Sequence, residues 1–214
     1  MAGSLVREAM AGVLLAGGQS RRMGGGDKGL LVVGGKPMMA HVVERLAPQV
    51  GTLVVNANGD PARFADFGLP VVADTIEGHV GPLAGVLAGM RWCAARAAAI
   101  THVATVSTDA PLVPDDLVAR FVGALEASDA RIAMAASGGH IHPVIGLWPV
   151  ALADDLEAAL RGGLRKVLDW TDRHGSTIVP FEFVRLAGRE VDPFFNANTP
   201  EEFAELRDLL GEPT

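Results

Sequence analysis

The sequence predicts an α/β protein built on a single doubly wound, mostly parallel sheet. Short, continuous apolar runs that end in turn residues alternate along the chain with segments of helical periodicity. Continuous apolar runs are typical of parallel strands that are covered on both faces. The chain has 214 residues, of which 49% are hydrophobic, so it can bury a substantial core. We therefore expect one domain that spans residues 1–214.

The elements follow in order from these two patterns. Apolar runs predict strands at residues 13–15, 52–55, 71–73, 101–107, 132–135 and 144–148. Apolar residues at helical spacing predict helices that begin near Pro37, Pro82, Pro114, Leu152, Leu164 and Thr199. Asp115 and Asp116 are expected in a first helical turn, where acidic side chains complement the helix dipole. Arg165 and Lys166 are expected inside a helix.

A glycine-rich, basic loop follows the first strand, and the chain is organised around it. The loop reads Leu15-Ala-Gly-Gly-Gln-Ser-Arg-Arg-Met-Gly-Gly-Gly-Asp-Lys28. Glycines bring backbone N–H groups close to a ligand, and several N–H groups that face one concavity bind phosphate. Positive charge is added around the loop by Arg21, Arg22, Lys28 and Lys36. A flexible, solvated loop is the alternative interpretation.

The loop follows neither of two familiar phosphate-binding motifs. A P-loop requires Gly-Lys-Ser/Thr, but Asp27 precedes Lys28 and Gly29 follows it. The dinucleotide fingerprint G-x-G-x-x-G is also absent, since Gly17 and Gly18 are adjacent. The loop therefore predicts a phosphate site of another kind.

Polar side chains stand at the carboxyl ends of three further predicted strands, namely Asn56, Asp74 and Asp109. Ligands bind beyond the carboxyl ends of strands in open α/β sheets, so these residues should converge with Leu15 on one crevice. Asp109 could hold Mg²⁺, which needs only one or two protein oxygens when substrate phosphates complete its coordination. The amide of Asn56 suits a base edge, although it could simply form a turn, and Asp74 could simply end its strand.

The C-terminal segment Phe194-Phe-Asn196-Ala-Asn198-Thr199-Pro200-Glu-Glu202 contains a helix start. Thr199 as the N-cap and Glu202 as the third helical residue predict a capping box. Folding does not explain Asn196 and Asn198, which makes them candidate binding residues. Arg165 and Lys166 are either ordinary surface charges or ligands of a second anionic substrate.

Composition and spacing exclude several classes of function. The net charge of −7 argues against nucleic acid as a partner, because binding to a phosphate backbone needs a broad basic face. A single cysteine, Cys93, cannot form an intramolecular disulfide and suits the reducing cytoplasm. The sequence shows neither a signal-peptide core nor a membrane-spanning run, so no membrane association is expected. His140 and His142 lack a third ligand at a zinc-like interval.

The segment from Leu15 to Lys28 resembles the signature of the molybdenum cofactor guanylyltransferases, Leu-Ala-Gly-Gly-x-Ser-x-Arg-Met-Gly-x-x-Asp-Lys. The final Asn-x-Asn-Thr-Pro-Glu-Glu motif and the order of the landmarks between are also similar to that family. The resemblance implies a Rossmann-like nucleotidyltransferase fold, with nucleotide bound by residues 11–112 and the acceptor by residues 113–214.

The resemblance also implies roles for particular residues. The implied catalytic residues are Arg22, Lys28 and Asp109, with Asp109 also holding Mg²⁺. The implied nucleotide-binding residues are Leu15, Ala16, Gly17, Gly18, Lys28, Asn56, Asp74 and Asp109. The implied acceptor-binding residues are Arg165, Lys166, Asn196 and Asn198.

The reaction implied by the resemblance is transfer of GMP from Mg·GTP to the terminal phosphate of molybdopterin cofactor, with release of pyrophosphate. Molybdenum insertion proteins and recipient molybdoenzymes are the further partners that it implies. Cytidylyl transfer to the same cofactor is disfavoured, because that sister group resembles Leu-Ala-Ala-Gly where this chain has Leu15-Ala-Gly-Gly18. Sugar-phosphate nucleotidyl transfer and non-catalytic carriage of the cofactor are two further functions that the sequence leaves open.

Overall fold

The structure of the chain is a computed structural model that describes residues 7–17, 27–78, 81–96 and 99–211. Its strands are β1 (Met10–Leu15), β2 (Val32–Val33), β3 (Lys36–Pro37), β4 (Thr52–Asn56), β5 (Val71–Val72), β6 (His102–Ser107), β7 (Ile132–Ser137), β8 (His140–Pro149), β9 (Ser176–Phe181), β10 (Val184–Leu186) and β11 (Arg189–Val191). Its α-helices are α1 (Met38–Leu46), α2 (Pro82–Arg96), α3 (Leu117–Glu126), α4 (Ala153–Arg161), α5 (Val167–His174) and α6 (Pro200–Leu210).

Within the described residues, seven strands form one sheet in the order β5-β4-β1-β6-β8-β7-β9. Neighbouring strands are parallel except where β8 pairs with β6 and with β7. The prediction of a mostly parallel α/β sheet is therefore confirmed. None of the helices in the described ranges is long and apolar enough to cross a membrane.

The sheet is covered by helices on both faces. Along β1, Leu14 belongs to a core cluster with residues of α1 and α3, whereas Val13 and Leu15 belong to a cluster with residues of α2. Every residue of β1 is buried, which explains why its sequence is continuously apolar instead of alternating. Full burial of one such aliphatic side chain contributes about 1.5–3 kcal/mol to stability. Helix α6 packs separately, with Leu206 beside Val33 and Met38.

Several predicted boundaries were wrong. Pro37 lies in β3, and α1 begins at the next residue. Asp115 and Asp116 precede α3, with Asp116 at the N-cap position, so they are not in its first turn. Arg165 and Lys166 precede α5, which begins at Val167.

The sheet also contains strands that periodicity did not predict. The strand expected at 144–148 extends to His140–Pro149, so both histidines lie in β8. Strand β9 was missed because its polar residues and Pro180 break the apolar pattern. It lies at an edge of the sheet, where a proline is tolerated because one side of the strand needs no ladder hydrogen bonds.

Gly85 in α2 gives a test of how closely the sheet and this helix approach. An alanine Cβ there would lie 2.3 Å from Asn56 Oδ1 and 2.7 Å from Leu15 Cδ2. We expect Gly85→Ala to lower the free energy of unfolding by about 1–3 kcal/mol, as overpacking does. Gly123→Ala is the matched control, because among the described residues no heavy atom beyond the neighbouring backbone of α3 lies within 4 Å of the added carbon. Alanine there should stabilise by up to about 1 kcal/mol. Equal urea midpoints for Gly85→Ala and the wild type would contradict this close packing.

Candidate active site

The carboxyl ends of the parallel strands are aligned, and most of the predicted site residues lie along this edge. Leu15 at the end of β1 is in register with Asn56 of β4 and with Ser107 of β6. Asn56 is in register with Val72 of β5, two residues before Asp74. Asp109 follows β6 by two residues. The predicted convergence of Leu15, Asn56, Asp74 and Asp109 on one edge is therefore observed.

The beginning of the glycine-rich loop is fixed to this edge by its backbone. The N–H of Ala16 donates to the carbonyl of Asn56 at 2.9 Å, and the N–H of Thr108 donates to the carbonyl of Leu15 at 3.2 Å. Gly17 is exposed, and among the described residues other than its chain neighbours no heavy atom lies within 4 Å of where its Cβ would be. The described part of the chain therefore leaves the backbone at Gly17 uncovered. Gly18 and Arg22 lie outside the described residues.

The end of the loop returns to the same edge. Gly29 is buried against Thr108, since a Cβ on Gly29 would lie 2.6 Å from both Cβ and Oγ1 of Thr108. This close approach requires glycine, and it places the backbone that follows Lys28 against the backbone that precedes Asp109. Lys28 Nζ donates to Asn198 Oδ1 at 2.7 Å. The lysine at the end of the glycine-rich loop and the C-terminal asparagine are thus direct neighbours, although 170 residues separate them.

The asparagine pair lies at the start of α6. The amide nitrogen of Asn198 is 3.0 Å from Asn196 Oδ1, and its backbone N–H donates to Glu202 at 2.6 Å. Thr199 and Glu202 form the predicted capping box. Asn198 is therefore held by the helix start and presents its side chain to Lys28.

A second group of contacts surrounds Asp74. Asn56 donates to Asp74 Oδ1 at 3.0 Å, and Asn58 donates to Asp74 Oδ2 at 2.8 Å. The amide nitrogen of Asn56 also lies 3.3 Å from the carbonyl of Val72, and Asn56 is only 5% exposed. Both amide hydrogens of Asn56 are therefore engaged within the protein. The half-buried carboxylate of Asp74 is held by two amides, and each of its oxygens retains accepting capacity.

Arg63 connects this group to the end of the glycine-rich loop. Its Nη2 donates to the carbonyl of Asn58 at 2.7 Å, and its Nη1 lies 3.0 Å from Asp27 Oδ2. Asp27 directly precedes Lys28. Sequence reasoning missed both Asn58 and Arg63. The turn signal Asn56-Ala-Asn-Gly-Asp60 marked the segment, but only the fold shows that it contacts the loop.

Asp109 is the predicted metal ligand, and its surroundings fit that role. It is half-buried, and one carboxylate oxygen accepts a hydrogen bond from Ser107. Its second oxygen has no protein partner among the described residues. No group of three His, Cys, Asp or Glu side chains in the described ranges could hold a metal ion. A single carboxylate suits an ion such as Mg²⁺, whose remaining ligands can be substrate phosphates and water. It does not suit a metal ion that is bound by protein side chains alone.

Arg165 and Lys166 are less closely associated with this site. Arg165 Nη1 binds the carbonyl oxygens of Leu160 and Leu164 at 3.0 and 2.7 Å, so the guanidinium caps the end of α4. Lys166 is exposed at the N-cap position of α5. Within the described residues, neither side chain forms a hydrogen bond or an ion pair with Asn196 or Asn198.

Comparison with known proteins assigns this arrangement to a family. Residues 12–176 match the family described as the MobA-like NTP transferase domain. The chain is 52% identical over 202 residues to a molybdenum cofactor guanylyltransferase of Bradyrhizobium sp. (strain ORS 278), with 94% of this chain and 93% of that protein covered.

Solved structures share the fold at lower identity. The chain matches the molybdopterin-guanine dinucleotide biosynthesis protein A of Archaeoglobus fulgidus with a TM-score of 0.69 at 22% identity, covering 93% of this chain and 97% of that one. It matches a Mycobacterium tuberculosis protein in complex with manganese with a TM-score of 0.65 at 16% identity, covering 93% and 98% of the two chains.

Proposed function

The chain belongs to the MobA-like NTP transferases and, among them, to the molybdenum cofactor guanylyltransferases, and we propose that its strand-end crevice performs the family reaction. In this reaction GMP is transferred from Mg·GTP to the terminal phosphate of molybdopterin, which yields molybdopterin guanine dinucleotide and pyrophosphate. The hydrogen bond between Lys28 and Asn198 carries the assignment of the site. It joins the nucleotide-binding half, residues 11–112, to the acceptor-binding half, residues 113–214, at the position where the two substrates would react.

The chemistry of this transfer needs alignment and charge neutralisation more than proton transfer. The attacking phosphate of the acceptor is already ionised near neutral pH, so no side chain has to act as a general base. Lys28 would bind the triphosphate, and Arg22 of the same loop would add a second cation. Asp109 would hold Mg²⁺, which supplies charge neutralisation at the reacting phosphorus and the departing pyrophosphate.

The base is read, in our proposal, by the carboxylate of Asp74. The Watson–Crick edge of guanine presents two neighbouring N–H donors, N1–H and the 2-amino group, which suit a carboxylate. Asn56 and Asn58 fix this carboxylate, so Asn56 would act by positioning Asp74. The corresponding edge of cytosine presents two acceptors beside one donor, and two acceptors facing a carboxylate repel it.

We expect the protein to bind GTP at least about tenfold more tightly than CTP, which corresponds to about 1.4 kcal/mol. Asp74→Asn should reduce this preference, because an amide can donate to cytosine and lacks the negative charge. Calorimetric titration of both triphosphates with both proteins measures the effect. Inosine triphosphate, which lacks the 2-amino group, should bind the wild type more weakly than GTP. Tighter binding of CTP than of GTP by the wild type would contradict the guanine assignment.

The reaction itself is tested by following label from α-³²P-GTP into molybdopterin guanine dinucleotide in the presence of Mg²⁺ and molybdopterin. We expect transfer with GTP and much less with CTP. Binding of both substrates without pyrophosphate release would instead favour a cofactor carrier.

The setting of the reaction is also part of the proposal. We place it in the cytoplasm, since the chain has one cysteine, Cys93, which is unpaired, and proteins without disulfides are typical of a reducing compartment. Molybdenum insertion proteins and recipient molybdoenzymes would be the partners that supply the acceptor and receive the product.

A further inference from the structure

A cluster of polar side chains lies outside the phosphate loop, in the second half of the chain. It contains Ser137 at the end of β7, His142 in β8 and Asp192 directly after β11. Ser137 Oγ lies 2.6 Å from His142 Nε2 and 2.7 and 2.8 Å from the two oxygens of Asp192. Ser137 is 3% exposed, whereas the side chains of His142 and Asp192 are 23% and 27% exposed. A buried hydroxyl therefore fixes two groups that solvent can reach.

The order of these hydrogen bonds excludes a nucleophilic serine. A carboxylate can only accept, so the single hydroxyl proton of Ser137 is donated to Asp192. His142 Nε2 must then donate to Ser137 Oγ and cannot remove its proton. Burial lowers the pKa of His142 despite the nearby Asp192 carboxylate, so the ring is neutral near pH 7. The cluster is thus a fixed array that presents a carboxylate, and it lacks the histidine base that an activated serine requires.

The cluster lies at the same edge of the sheet as Asp109. Strand β8 stands between β6 and β7 and is antiparallel to both, so its first residues lie beside the carboxyl ends of those two strands. The ends of β6 and β7 are two strand spacings apart, about 10 Å. A fused-ring molecule with a phosphate on the side opposite its polar edge has a similar length, and it would span this distance.

Chain connectivity also places the cluster within the acceptor half of the site. Asp192 begins the segment that contains Asn196 and Asn198, and Asn198 contacts Lys28. Six residues span at most about 20 Å. Asp192 is fixed at the start of this segment, because its Oδ1 accepts a hydrogen bond from the backbone N–H of Phe194 at 2.8 Å. The ring centroids of Phe194 and His142 lie 4.8 Å apart, so the segment also packs against β8.

We propose that Asp192, positioned by Ser137 and His142, binds the 2-amino-4-oxo edge of the pterin ring of the acceptor. This inference rests on the proposed function, because that function supplies a pterin as the second substrate. The edge presents a ring N–H beside an amino group, which is the same pair of donors that guanine offers to Asp74. Each substrate would then be recognised by one carboxylate. The two amides of Asn56 and Asn58 hold Asp74 at the guanine, and the hydroxyl of Ser137 holds Asp192 at the pterin.

The test uses the full chain and a reduced pterin without a phosphate arm, tetrahydrobiopterin. The nucleotide site is first saturated with α,β-methylene-GTP, so that the pterin cannot occupy the guanine pocket. We expect Asp192→Asn to weaken tetrahydrobiopterin binding by about tenfold or more, with the affinity for α,β-methylene-GTP unchanged within about twofold. Asparagine retains an oxygen for Ser137 and for the N–H of Phe194, so the turn should persist. In turnover assays the KM for molybdopterin should rise while the KM for GTP stays constant.

Two controls separate recognition from structure. Asp155 also contacts a histidine, His174, but it follows β8 at the opposite edge of the sheet, so Asp155→Asn should leave pterin binding unchanged. A reduced lumazine, which has oxygen in place of the 2-amino group, should bind the wild type more weakly, and Asp192→Asn should remove this preference. An unchanged KM for molybdopterin in Asp192→Asn would overturn the inference. Failure of transfer by the wild type would contradict the proposed function but would leave the pterin-binding result readable.

Discussion

Asp109→Asn should lower the turnover number for GMP transfer by on the order of 100-fold or more, equivalent to about 2.7 kcal/mol of transition-state stabilisation. The change preserves the shape of the side chain and the oxygen that accepts from Ser107. It removes the negative charge that would hold Mg²⁺. The loss should fall mainly on the chemical step, because charge grows on the phosphorus oxygens and on the departing pyrophosphate during transfer. Binding of molybdopterin should remain.

The measurement is pyrophosphate release from GTP with molybdopterin at several Mg²⁺ concentrations. Higher Mg²⁺ should restore part of the lost rate in Asp109→Asn if the residue acts through the ion. Asp116→Asn is the control, because Asp116 is exposed in the following segment and asparagine is an equally good N-cap residue. Equal rates in Asp109→Asn and the wild type would remove Asp109 from the metal site.

Lys28→Ala should lower kcat/KM for GTP by roughly 10- to 100-fold, since a hydrogen bond to a charged group contributes about 1.5–3 kcal/mol. Both the affinity for GTP and the turnover number should fall, because Lys28 would contact phosphates in the ground state and in the transition state. The fold should be unaffected, as the half-buried lysine forms no part of a core cluster.

Lys36→Ala is the matched control for Lys28→Ala. The sequence placed both lysines near the phosphate loop, but Lys36 is paired with Glu44 of α1. Its removal should leave the kinetics nearly unchanged. Equal losses in the two variants would show that general positive charge, and not the position of Lys28, supports the reaction.

The variant Asn198→Ala tests whether Asn198 acts on the nucleotide through Lys28 or on the acceptor. If Asn198 acts by holding Lys28, then Asn198→Ala should also weaken GTP binding, and its effect should disappear in a protein that already carries Lys28→Ala. Such non-additivity is expected of residues in direct contact. Additive effects would instead assign Asn198 to the acceptor alone.

The sequence by itself was sufficient to predict the fold class and the main residues of one edge. Strand β1 is apolar throughout because both of its faces are buried, and this pattern is local. The capping box of Thr199 and Glu202 is also local, since its donors and acceptors lie within one helical turn. Asn56, Asp74 and Asp109 could be aligned in advance because parallel strands bring their carboxyl ends to a common edge. Strand β9 and the start of α5 could not be predicted in this way. The position of β9 at the edge of the sheet and the packing of α5 against the rest of the protein determine them.

The partners of these residues were decided only by the tertiary structure. No sequence pattern connects Lys28 to Asn198, or Ser137 to Asp192, since each contact joins segments that meet only after the sheet has formed. The same is true of Arg63, which reads as an ordinary surface charge until the fold places it against Asp27. Periodicity and capping reflect interactions within a few residues of the chain. Hydrogen bonds between distant side chains depend on where whole strands and helices lie, and the packing of the core sets those positions.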